Sequence, residues 1–272
     1  MAYSPMELAE AFIQTGELDD ALEALAEQID TEPKDFDARR LRASVLLRLP
    51  TDENIAQGIA DMDVIPVKKR TGHDYWLRSL LFEKQGNIAG ALVEAQLAEL
   101  PDARGDRLTE RIIEMWIAMK NYEGALDVIA QQPRNRIWRE READIYVLMG
   151  DDIKAMKAYN FVLAEMVEDF DLEHNGHHRA RYARVLMAHA AVCQRIGDIY
   201  TARDTYAEAS AYIDDPVLDF NRGLLAATMG EMDKATELCS KGFNAASERV
   251  RAEMREDLVH EKYTTLRRRL FA

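Results

Sequence analysis

Three imidazoles and a carboxylate fall within six positions at Glu173-His174-Asn175-Gly176-His177-His178. Histidine is a common transition-metal ligand, so the chemistry on offer is a metal or ligand corner. The spacing matches no defined zinc pattern, no cysteine pair accompanies it, and Asn175-Gly176 reads as a helix stop. No metal is therefore assigned, and the His174 to His178 corner stands as the alternative reading, a metal- or ligand-binding regulatory module. His189 and Cys193 lie four apart and share a helix face, the arrangement of a base and its nucleophile. Glu168, Asp169 and Asp171 end the preceding helical stretch with nothing to pair them to a pocket. The sequence has no Gly-rich phosphate loop, Ser-centred elbow, or kinase or hydrolase signature. The reading is non-enzymatic, with no catalytic residue and no cofactor; an enzyme completed only by another chain is a third, weaker reading.

The elements that would carry these residues repeat. A turn residue is followed about five positions later by Ala in Gly16…Ala21, Gly86…Ala91, Gly150…Ala155, Gly197…Ala202 and Gly230…Ala235. Lys120…Ala125 is a weaker copy, and a degenerate turn lies near Pro50-Thr51. Taking 16, 50, 86, 120, 150, 197 and 230 as turns, the intervals are 34, 36, 34, 30, 47 and 33. A period near 34 in an apolar-periodic chain signals stacked helical hairpins. The third copy shows it clearly, with Trp76, Leu77, Leu80, Leu81 and Phe82 before the turn and Ala91, Leu92, Ala95 and Leu97 after it. The alanines after the turns read as close-packing positions, and the acidic pairs Asp19-Asp20 and Asp151-Asp152 as N-caps or first-turn charges.

The pattern resembles the tetratricopeptide repeat (TPR) family, whose unit has 34 residues. The first copy supplies Leu8, Ala9 and Phe12, then Ala21, Leu25 and Pro33; the sixth supplies Leu186, Ala190 and Cys193, then Ala202, Tyr206 and Ala209; the seventh supplies Gly223 and Ala226, then Ala235. The resemblance implies an all-α fold, an α-solenoid of about seven antiparallel helical hairpins in a right-handed superhelix. It also implies that His189 and Cys193 are packing residues, and that the first helix of each hairpin lines a concave face. That register puts Arg40, Leu41, Trp76, Leu77, Leu80, Glu83, Arg107, Arg111 and Arg141 on the face, an apolar centre flanked by Arg. A competing reading packs Trp76 against the irregular segment before Gly72. The function implied is a scaffold or adaptor binding a peptide or helix of a protein partner.

Departures from the repeat sit near residues 50–72, where the turn degenerates, and near 171–178, where the helix starting at Asp152 outruns its neighbours and would project. The interval of 30 implies a tight loop around Gln132-Pro133-Arg134-Asn135. Residues 1–246 form the array, and 247–272 read as one amphipathic capping helix through Val250, Met254, Leu258, Tyr263, Leu266 and Leu270. The alternative offers that helix to a partner or a second copy, so a homo-oligomer stays open.

Among the 272 residues, 47% are hydrophobic, enough for a packed interior, and 13 Gly with 7 Pro argue against a loop-rich or all-β chain. A net charge of −14 repels nucleic acid and anionic membrane faces, so neither is an expected partner. Cys193 and Cys239 sit in helical stretches, which fits reduced, buried thiols. With no basic-then-apolar leader and no long apolar run, the expectation is a cytoplasmic protein without membrane insertion.

Overall fold

The computed structural model describes residues 3–98 and 103–271. Among them are sixteen α-helices, two 3-10 turns and no strand, as the helical periodicity requires. The chain forms two compact units, residues 1–130 and 131–272. The first holds four successive helix pairs: α1 (Pro5–Thr15) with α2 (Leu18–Thr31), α3 (Phe36–Arg48) with α4 (Asp52–Val64), α5 (Gly72–Lys84) with α6 (Ile88–Leu97), and α7 (Ala103–Ala118) with α8 (Tyr122–Ala130). The second holds three: α9 (Arg136–Met149) with α10 (Asp152–Asp169), α11 (Gly176–Arg195) with α12 (Ile199–Ala209), and α13 (Pro216–Thr228) with α14 (Met232–Ala245). α15 (Glu248–Asp257), a 3-10 turn at Glu261–Tyr263 and α16 (Thr264–Leu270) follow. No described helix is long and apolar enough to cross a membrane.

Six of the seven pairs close on one turn. The chain enters the left-handed region at Gly16, Gly86, Gly150, Gly197 and Gly230, with φ between 75° and 87°, and at Lys120, φ 57°. The next residue's N–H then reaches back five positions: Glu17 to Phe12, Asn87 to Phe82, Asn121 to Trp116, Asp151 to Tyr146, Asp198 to Cys193 and Glu231 to Ala226, at 2.8–2.9 Å. This satisfies carbonyls that the helix end would otherwise strand. Asn87, Asn121, Asp151 and Asp198 also cap the second helix with their side chains, so stop and start are coded in two adjacent residues. Glu17 and Glu231 make no such side-chain bond. The second pair lacks the turn; Leu49, Pro50 and Thr51 connect its helices, with Thr51 as N-cap and Asn54 Nδ2 donating to Leu49 O at 2.7 Å.

Five positions beyond each of the six turns, Ala21, Ala91, Ala125, Ala155, Ala202 and Ala235 are fully buried, as expected for close helix approach. The second pair puts Ile55 there. In the last pair the approach tightens: a Cβ on Gly223 would lie 2.9 Å from Cys239 N and 3.0 Å from Ala235 O, so only glycine fits.

Three expectations change. The 47-residue interval is shared, because α10 has 18 residues and α11 has 20, and they pair along their length. The extra turns of α10 therefore pack instead of projecting, with Val162 and Met166 buried among Tyr182, Ala183 and Leu186. The short interval of 30 reflects an α8 of only nine residues. Residues 247–272 are two helices, broken by a 3-10 turn at Glu261–Tyr263, which lets Met254, Leu258, Tyr263 and Leu266 converge on Phe220, Leu224 and Cys239. This segment packs within the second unit.

Candidate partner-binding face

In the first unit the predicted face is carried by first helices. Arg40 and Leu41 sit on α3, Trp76, Leu77, Leu80 and Glu83 on α5, and Arg107 and Arg111 on α7. Leu77 turns inward and joins the core of Ala43, Ile55, Met62 and Leu81, which removes it from the surface. Leu41, Trp76 and Leu80 are partly buried, and Arg107 is exposed. Trp76 packs at the edge of the core cluster that includes Leu92, Ala95, Leu108 and Met115 of α6 and α7. The Arg111 guanidinium lies over its ring at 5.4 Å. Arg141 is on α9, in the second unit, and is partly buried.

The arginines of the face do structural work between adjacent first helices. Arg40 on α3 donates to both carboxylate oxygens of Asp74 on α5, at 2.7 and 3.0 Å. Asp74 also accepts the Thr71 N–H at 2.7 Å, closing a capping box that starts α5. Burial pushes the Asp74 carboxyl up, but bonds from Arg40 and Thr71 outweigh it and hold the group below the usual carboxylate range. Glu83 on α5 pairs with Arg111 on α7. In the second unit Glu140 on α9 pairs with Arg181 on α11 at 2.8 Å. The first unit also holds charged pairs that the sequence did not reveal. Asp61, fully buried, takes Arg39 at 2.9 Å and Arg42 at 2.6 Å, and Arg78 reaches Asp63 and Glu94. Their only sequence signal is the density of charge at Arg39-Arg40-Leu41-Arg42 within a helical stretch.

The chemistry-bearing motifs have local explanations. Cys193 Sγ lies 3.6 Å from His189 Nε2, both buried. Burial pushes the thiol up to about 11 and the imidazole down, so the pair stays as neutral thiol and neutral ring, the reverse of an activated nucleophile. At the histidine corner, His178 stacks on Phe170 with ring centroids 4.3 Å apart and accepts the Asp171 N–H on Nδ1 at 3.1 Å. His174 N–H donates to Asp171 at 2.9 Å, and Asn175 caps α11 through the N–H groups of His177 and His178. These bonds shape the α10–α11 turn, and no group of three metal-ligating side chains gathers among the described residues.

A family model described as tetratricopeptide repeat matches residues 185–214, which run from mid-α11 through the Gly197 turn and α12. The whole chain resembles the crystal structure of a tetratricopeptide repeat protein from Parabacteroides merdae, at 14% identity and TM-score 0.54, covering 94% of this chain and 98% of that one. The chain therefore has the fold of TPR proteins, and one of its hairpins carries the repeat's sequence signature. Its fold is equally similar to the C-terminal part of a TPR repeat-containing protein from Cytophaga hutchinsonii, at 14% identity and TM-score 0.57, covering 97% and 98%. A third TPR-like match is the Naa15/Naa10 structure bound to HypK-THB, at 15% identity and TM-score 0.54, covering 98% of this chain but 39% of that chain. A search of curated protein sequences finds no match.

Proposed function

We propose that this chain is a non-catalytic scaffold that holds a peptide or helix of a partner protein against the first-helix face of its first unit. The fold supports a protein-interaction scaffold, since solved structures of this architecture include an assembly with a bound partner, Naa15/Naa10 with HypK-THB. The observation that carries the choice of face is Trp76, held under Arg111 beside the partly exposed Leu80. A rigid aromatic with a guanidinium above it is the composition of an interface hot spot. Leu41 extends the apolar strip, and Arg40, Glu83, Arg107 and Arg111 provide the charged border.

Affinity capture with the native chain, Trp76→Ala, Leu80→Glu and Arg111→Glu tests the face, with thermal melts to show that each variant folds. Folded variants should lose at least one protein that the native chain retains. Unchanged recovery of every protein by all three folded variants would remove the face from consideration.

A further inference from the structure

The charge of this chain is unevenly spread. Residues 1–33 hold nine carboxylates and neither Lys nor Arg, which is −9 of the net −14. All nine are exposed on or beside α1 and α2, and among the described residues none forms an ion pair. The rest of the first unit differs, since its helices are tied by Arg39–Asp61, Arg40–Asp74, Arg78–Glu94 and Arg111–Glu83. Asp19, Glu23 and Glu27 also follow one another at four-residue steps along α2, a spacing at which like charges repel. A cationic neighbour would offset that repulsion. Within the same surface Leu8 and Ala11 of α1 are exposed beside Glu7 and Glu10, an apolar strip edged by carboxylates.

In the second unit α16 presents the reverse. Residues 262–272 hold four cations and no carboxylate. Asp233 takes Arg269 at 2.6 Å, but Arg267 and Arg268 are exposed and form no ion pair among the described residues. Phe271 is exposed too, with an edge against Phe243 at 5.3 Å between ring centroids. Its N–H bonds to Arg267 O at 3.2 Å, so the helical spacing holds and the ring shares a side of the helix with the two guanidinium groups. Each copy of the chain therefore carries one acidic and one cationic surface, both unpaired and both with an exposed apolar centre. That complementarity selects a second copy as the occupant.

We propose that two copies of this chain associate heterologously, the α1–α2 surface of one against the α16 surface of the other. Phe271 packs on Leu8 and Ala11, and Arg267 and Arg268 pair with Glu7 and Glu10. Net repulsion between copies is screened beyond about 8 Å at physiological salt, and contact pairs act inside that distance. Sedimentation velocity of the full chain over a concentration series tests the contact. At about 50 mM salt the mean mass should rise with concentration, and at about 500 mM the rise should vanish. Arg267→Glu with Arg268→Glu, and Glu10→Lys with Gln14→Lys, should each weaken association about ten-fold or more while melting like the native chain. Mixed together, the two variants should associate, because each keeps the surface that the other has lost. Folded Trp76→Ala should associate like the native chain, which separates this contact from the first-helix face; loss of association there would overturn the proposal. Association that salt leaves unchanged, or that either charge-reversed variant keeps in full, would overturn it, as would a mixture that behaves as its separate parts. A chain monomeric throughout at about 50 mM salt would overturn it too and leave the acidic surface to a basic partner protein.

Discussion

At the residue scale, Lys120 stands where five other turns have glycine, and it adopts the same left-handed backbone at φ 57°. A side chain there costs about 1–2 kcal/mol. Lys120→Gly should therefore raise stability by about 1 kcal/mol in urea titration, and Gly150→Ala should lower it by a similar amount. No atom lies within 4 Å of a Cβ built on Gly150, so the second effect is conformational and not steric. A destabilised Lys120→Gly would mean that the Lys side chain contributes more than its backbone costs. Asp74 gives a pH-dependent counterpart. Its folded carboxyl is held below the ordinary value, so the Arg40–Asp74–Thr71 contribution is complete above the unfolded pKa near ~3.9 and fades as pH falls through the folded value. Asp74→Asn should cost about 2 kcal/mol at neutral pH, and the gap from the native chain should close below about pH 4. A gap constant from pH 7 to pH 3 would show that the ion pair is not its source.

At the element scale, the α13–α14 pair depends on contact that no side chain can enter. A Cβ on Gly223 meets Cys239 Sγ as well as the α14 backbone, and backbone cannot step aside as a flexible side chain can. Gly223→Ala should cost about 1–3 kcal/mol by overpacking. The same change at Gly176, where nothing lies within 4 Å, should be close to neutral. Equal melting temperatures for the two variants would contradict the close approach. The repeated stop-and-start turn was legible in the chain because a left-handed residue followed by Asn or Asp is local chemistry. The shared lengthening of α10 and α11 was not, because the sequence marks where a helix stops and leaves open which neighbour covers its extra turns.

At the scale of the whole molecule, the core of the last helix pair around Phe220 and Leu224 is completed by residues 247–272, which supply Met254, Leu258, Tyr263 and Leu266. Each large apolar side chain buried contributes on the order of 2 kcal/mol. Deleting 247–272 should therefore lower the melting temperature sharply and drive aggregation at neutral pH. A truncated chain that stays soluble and equally heat-stable would show that these helices serve a partner. Arg269 bonded to Asp233 at 2.6 Å is the polar edge of the same cover.

Periodicity alone determined that the chain is helical, where six of its helix pairs turn and which small residues are buried, since all three depend on residues within one or two helical turns of each other. It also placed Trp76, Leu80 and Arg111 on first helices. The tertiary structure decided how those side chains are used. Arg40 and Arg111 are engaged by carboxylates 34 and 28 positions away, Leu77 faces inward, and Cys193 is silenced by burial. Ion pairing and desolvation arise between elements distant in sequence, and no local pattern specifies them.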